Sequence, residues 1–136
     1  MTKKKIFVVL LSILLVVAAA PFVVLFVSVG KEYGEEYLSR VNFDSDLWQN
    51  DQAINREPYP RLRMVDNLLK KHNLNGKDHN EIITLLGKPE ETPYFKEYEI
   101  VYWLGPERNF ISIDSEWLVI NINEKGIVDE YHVFTD

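Results

Sequence analysis

The alternation of apolar and polar positions changes its period several times along the chain. Residues Ile6–Val29 are apolar throughout except for Ser12, Pro21 and Ser28. As a helix at about 1.5 Å per residue this run reaches roughly 36 Å, enough to cross a hydrocarbon core of about 30 Å with some tilt. Residues 31–57 are polar, interrupted by Tyr33, Tyr37, Phe43 and Trp48. They read as a connector, with Ser45 capping a short turn through Asp46–Gln49. From Pro60 the apolar residues Leu62, Val65, Leu68 and Leu69 recur at helical spacing, with Met64 joining Leu68. Pro60 suits a first helical turn, and Lys70, Lys71 and His72 suit the last one. After the loop Asn73–Gly76, Asp78 and Glu81 form a capping-box pair ahead of Ile82, Leu85 and Leu86. Gly87 and Pro89 stop that second helix.

The period becomes two from Phe95 onward. Tyr98, Ile100 and Tyr102 alternate with Glu97, Glu99, Val101 and Trp103. The turn Gly105–Asn109 closes this strand, and Phe110, Ile111 and Ile113 suggest a short strand or bridge. Leu118, Ile120 and Ile122 form an apolar face, with Trp117, Val119 and Asn121 opposite. Asn123-Glu124-Lys125-Gly126 is a hairpin turn leading to a last strand, Ile127–Phe134. Turns this short force antiparallel neighbours. The expected fold class is α+β: an N-terminal transmembrane helix, then two helices packed on one face of a three- to four-stranded antiparallel meander. The expected organisation is an anchor over 1–30, a connector over 31–57 and a two-layer domain over 58–136.

Lys3, Lys4 and Lys5 precede the apolar run, whereas only Lys31 and Arg40 follow closely. The positive-inside rule then places the N-terminus in the cytoplasm and residues 31–136 outside it. A cleaved signal peptide is the competing reading. Ala18-Ala19-Ala20 resembles a cleavage site, but Pro21 follows directly and the apolar run outlasts an ordinary signal core of about 7–15 residues. An uncleaved signal anchor is therefore expected. Pro21 reads as a tolerated membrane-helix proline.

All 21 acidic residues lie beyond the apolar run, whereas three of the 15 Lys and Arg precede it, so the remainder is more acidic than the net charge of −6 suggests. Phosphate backbones repel such a domain, and no nucleic-acid partner is expected. The chain has no Cys, which excludes disulfides, thiolate zinc sites and a lipidated N-terminal cysteine. That composition fits an exported bacterial protein that does without disulfides.

A set of short elements carries a family likeness. Leu74-x-Gly76-Lys77 precedes the capped helix, which closes on Leu85-Leu86-Gly87-x-Pro89. Tyr102-x-Leu104-Gly105, Asp114, Leu118-x-Ile120-x-Ile122 and Gly126-x-Val128 follow. Over residues 60–134 this pattern resembles the SmpA/OmlA family of small outer-membrane assembly lipoproteins, with their β-lactamase-inhibitor-protein-like fold. The resemblance implies a helix-helix-sheet domain that binds other proteins and performs no catalysis. Those lipoproteins attach through a lipidated cysteine that is missing here, and no binding residue of the family maps onto these positions.

The candidate chemistry is thin. His72 and His79 flank the inter-helix turn and read as a polar helix end and an exposed first turn rather than a metal pair. His132 alternates with Glu130 on a solvated face. Asp44, Ser45, Asp46 and Asp51 lack the mid-loop Gly and distal Glu of an EF-hand. Asp114 and Glu116 share one side of an extended segment with nothing evident to separate their acidities, so Asp114 and Ser115 read as turn residues. No catalytic, cofactor or metal residue is assigned. Aromatics crowd the sheet, and two helices cannot cover both of its faces. The expected protein-binding residues are Trp103, Trp117, Val119 and Tyr131, with ordinary cross-strand contact as the competing explanation and a bare outer face as the observation that would favour binding. The expected function is a single-pass, membrane-anchored extracytoplasmic protein-binding or assembly domain without catalysis. Its expected partners are the lipid bilayer and an envelope or membrane protein. The alternative is an envelope ligand sensor or hydrolase using the carboxylates near Asp114.

Overall fold

A computed structural model of the chain describes residues 2–109 and 112–136, with the side chains of residues 32 and 33 set aside. Two compact units divide it, the first ending at Leu38 and the second running Ser39–Asp136. The first unit is almost wholly one helix, α1 (Lys3–Ser39), which ends in the second unit and carries Pro21 in its interior. Among the described residues, α1 is the one helix long and apolar enough to cross a membrane, a test that a signal sequence also passes. Ser12, a polar interruption of the run, donates to Val8 O and Val9 O at 3.0 and 2.9 Å, so its hydroxyl is satisfied inside the helix.

The second unit is α+β. Among its described residues, four short helices, α2 (Ser45–Trp48), α3 (Asp51–Ile54), α4 (Pro60–Lys71) and α5 (His79–Leu86), precede three strands, β1 (Ile100–Pro106), β2 (Ser115–Ile122) and β3 (Val128–Thr135). The strands form one antiparallel sheet in the order β1-β2-β3. Pro60 opens α4. Asp78 and Glu81 form the complete capping box of α5, each side chain taking the other's backbone N–H at 2.8 Å. Gly126, with φ 78°, closes the β2–β3 hairpin through its N–H to Asn123 O.

Several expectations are corrected. The N-cap of α2 is Asp44, whose carboxylate accepts from Leu47 N–H; Ser45 is already helical and donates instead to Leu85 O. β1 begins at Ile100 rather than Phe95, because Phe95 takes a left-handed φ of 54° and its carbonyl accepts from Tyr98 N–H, turning the chain there. At its other end β1 runs through Gly105 and Pro106, which pair with Glu116 and Ser115. The turn read over Gly105–Asn109 therefore starts later. Phe110 and Ile111 lie outside the described residues, and Ile113 is exposed. β3 starts at Val128, one residue after the expected Ile127.

The main core lies between the helices and one sheet face. It unites Met64, Val65 and Leu68 of α4 and Ile82 and Leu86 of α5 with Ile100, Tyr102, Leu104, Leu118 and Ile120 of the sheet. Trp48 of α2, Leu74 of the α4–α5 loop and Val128 of β3 complete it, the first two fully buried. The segment 31–57, read as a connector, thus divides. Its beginning continues α1, while Phe43, Trp48 and Ile54 are packed into the second unit. Its polarity reflects the exposed sides of two one-turn helices, each of which buries a single large residue.

Candidate functional site

Three local arrangements in the second unit carry charge or aromatic density. The first is buried. Arg61, in α4, is 2% exposed. Its Nε donates to Trp48 O at 3.0 Å, and its Nη1 reaches Glu90 Oε1 at 2.5 Å and Trp103 O at 3.3 Å. The guanidinium also lies over the Trp48 and Tyr102 rings, 5.6 and 5.3 Å from their centroids. Glu90 Oε2 in turn accepts Trp103 N–H. This one cation therefore ties α2, α4, β1 and the chain after α5 together. Sequence reasoning passed over it, although its phase was a signal: Arg61 stands four residues before Val65 and seven before Leu68 on the buried stripe.

Tyr102 adjoins this cation, and its hydroxyl donates to Gly87 O at 2.7 Å. Burial pushes its phenol well above the ordinary 10.0; Arg61 opposes that shift and Glu90 adds to it. Below about pH 10 the phenol is protonated in both the folded and the unfolded chain. Above it the unfolded chain ionises first, so folding stability is expected to fall as pH rises past 10. An alkaline titration followed by phenolate absorbance is expected to show Tyr102 ionising only together with loss of tertiary circular dichroism. Ionisation of every tyrosine before unfolding contradicts this.

The second arrangement engages Glu116, one of the two carboxylates of the hydrolase alternative. Glu116 is buried, and Arg108 grips it with Nε and Nη2 at 3.0 and 2.7 Å while Nη1 holds Asp66 Oδ2 at 2.9 Å. Arg40 reaches the same Asp66 oxygen at 2.8 Å. Burial by itself would lower the Arg108 pKa, but its bond to Glu116 and the charges of Glu116 and Asp66 more than reverse this, so its net shift is upward. Asp114, by contrast, is exposed and contributes its backbone carbonyl to Glu107 N–H. The structure therefore does not present Asp114 and Glu116 as a free carboxylate pair. Among the described residues, no group of three or more His, Cys, Asp or Glu is placed to hold a metal ion. His72 packs edge-on against Phe43, and His132 meets Glu130 at 2.7 Å on an exposed face.

The third arrangement is the outer sheet face, where three of the four expected binding residues fall. Trp103, Trp117 and Val119 do share it, since Trp103 pairs with Trp117 and Val101 with Val119. Tyr131 does not. It pairs with Ile120 and packs against the main core on the opposite face. Nor is the face bare: Trp117 is 8% exposed and Val119 fully buried. Phe95 and Tyr98 pack over them, with Val101 and Trp103, as a second apolar cluster. The expectation of exposed Trp117 and Val119 is thus corrected, because the chain between α5 and β1 covers the sheet side that the helices leave. What remains accessible is a rim. Tyr94 lies 5.5 Å from the Trp117 ring, and Phe134 stacks between Phe95 and His132 at 6.0 and 5.2 Å; Tyr94 and Phe134 are 49% and 38% exposed.

No known protein family, no curated protein and no solved structure matches this chain.

Proposed function

We propose that the protein is a single-pass membrane protein that presents its second unit outside the cytoplasm to bind another envelope or membrane protein, without catalysis. The observation that carries this reading is the uninterrupted uncharged stretch Ile6–Val29 inside one helix, preceded by three lysines and followed by a separately packed unit. Such a stretch buries no unpaired charge in lipid, and the lysines favour retention of its N-terminal side in the cytoplasm. The pairing of Glu116 with Arg108 and of Glu90 with Arg61 favours binding over acid–base chemistry, because these carboxylates are engaged in holding the fold. The half-exposed aromatic rim of Tyr94 and Phe134 supplies the kind of surface that protein interfaces favour. The SmpA/OmlA-like pattern of residues 60–134 points the same way.

Protease added to intact cells whose outer layers admit it, with the inner membrane sealed, is expected to remove the C-terminal unit. The full-length chain is also expected to resist alkaline extraction from membranes. Protection of the C-terminal unit until the inner membrane is opened would invert the topology. Release of a chain lacking residues 1–30 would make the helix a cleaved signal.

A further inference from the structure

The segment Glu91–Tyr98 crosses the outer sheet face as a strap, pinned at both ends and loosely held between them. At one end Glu90 N–H donates to Val101 O at 3.0 Å, and the Glu90 carboxylate takes Arg61 and Trp103. At the other, Glu99 Oε2 accepts Ile122 N–H at 2.8 Å. Between these pins the strap bonds to itself, from Tyr94 N–H to Thr92 Oγ1 and from Tyr98 N–H to Phe95 O. Among the described residues, no hydrogen bond from Thr92–Tyr98 reaches the sheet. The strap's hold on the sheet is aromatic contact, centred on Phe95. Phe95 itself sits at φ 54°, in a region that a residue with a Cβ rarely adopts. Beneath it, the Trp117 indole N–H is buried and, among the described residues, has no acceptor. Trp48 has a similarly unsatisfied indole, but that ring lies in the main core under the Arg61 guanidinium.

We infer that the strap is an internal stand-in for a partner's peptide. An extended partner segment bearing two aromatic side chains displaces Thr92–Tyr98, seats its rings on Val101, Trp117 and Val119, and gives a backbone carbonyl to the Trp117 indole N–H. This rests on the protein-binding reading above and supplies the chemistry of the partner. A peptide is favoured because a peptide already fills the site with tyrosine and phenylalanine rings. The exchange trades apolar contact for similar apolar contact, while the incoming chain adds the missing acceptor and frees Phe95 from its left-handed backbone. Without a partner the strap keeps the aromatic face from water and from self-association.

The test uses the full chain in lipid nanodiscs. Hydrogen exchange is expected to show amides of Thr92–Tyr98 exchanging at least about 100-fold faster than those of β2, as befits a local opening that spares the sheet. Equal protection of strap and β2 overturns the inference. Phe95→Asp lifts the strap, and a synthetic peptide copying residues 90–99 is then titrated against that variant. The Trp117 indole N–H resonance is expected to shift saturably with this peptide and not with a scrambled one. No shift, or the same shift with both, overturns it. Crosslinking in intact cells separates the two readings. A neighbour captured equally by the wild type, Phe95→Asp and Trp117→Phe overturns the strap and leaves protein binding standing. No captured neighbour removes both.

Discussion

Trp48→Ala is expected to destabilise the second unit by about 3–5 kcal/mol, the usual cost of emptying a large aromatic site in a core that relaxes only partly. Trp48 is fully buried, packs edge-on with Phe43 and Tyr102 at 5.8 and 6.3 Å, and lends its carbonyl to Arg61. A single domain typically holds about 5–15 kcal/mol of net stability, so this loss leaves a fraction of the chains unfolded. Urea unfolding of the full chain in detergent micelles, followed by tertiary circular dichroism, measures it. Trp48→Phe is expected to cost less, since it keeps a ring in the site. A Trp48→Ala chain as stable as the wild type would mean that residues 43–54 hang beside the domain as a tether.

Arg61→Ala is expected to cost about 3 kcal/mol, toward the lower end for breaking a buried pair because the Glu90 side chain keeps 29% of its surface. The loss has named parts. Glu90 loses its cation, the Trp48 and Trp103 carbonyls lose a donor, and two aromatic rings lose the guanidinium over their faces. Glu90→Ala is expected to cost less, because Arg61 then keeps both carbonyls and both rings. The two changes are expected to be non-additive, since they share one bond. Denaturant titration of both single variants and the double variant checks the order. A costlier Glu90→Ala, or strict additivity, contradicts the account. Arg61→Lys is not a conservative control, because an ammonium cannot span three separated acceptors while lying flat on two rings.

These two residues also mark where a linear reading stops. Leu62, Val65, Leu68 and Leu69 with Met64 were legible as a stripe, of which Leu62 and Leu69 are only partly buried, and Arg61 shares its helical phase, yet a charged residue in phase is ordinarily a boundary of the stripe. What neutralises it there is Glu90, 29 positions away. Trp48 stood in a run of Asp, Asn and Gln, and the main core that claims it is assembled from α4, α5 and the sheet. The outer face failed in a comparable way. Alternation correctly separated Trp117 and Val119 from Leu118 and Ile120, but alternation says nothing about which distant segment lies on either side. Tyr131, expected to bind together with Trp103, Trp117 and Val119, lies on the opposite face, because a strand's phase relative to its neighbour depends on register, here Ile120 opposite Tyr131.

By itself the sequence determined the elements whose causes are local. The apolar helix near the N-terminus follows from an unbroken run, α4 and α5 from a 3.6-residue stripe with Pro60 and the Asp78–Glu81 box at their starts, and the β2–β3 hairpin from Gly126. Each rests on interactions spanning a few residues, which the order of side chains fixes. Tertiary structure alone decided that Trp48 joins the core, that Arg61 and Arg108 neutralise Glu90 and Glu116, and that the 91–98 strap hides the aromatic face. Those outcomes depend on which surfaces are left uncovered once helices and sheet have met. Desolvation then forces the remaining apolar rings and buried charges onto whatever partner the fold brings within reach.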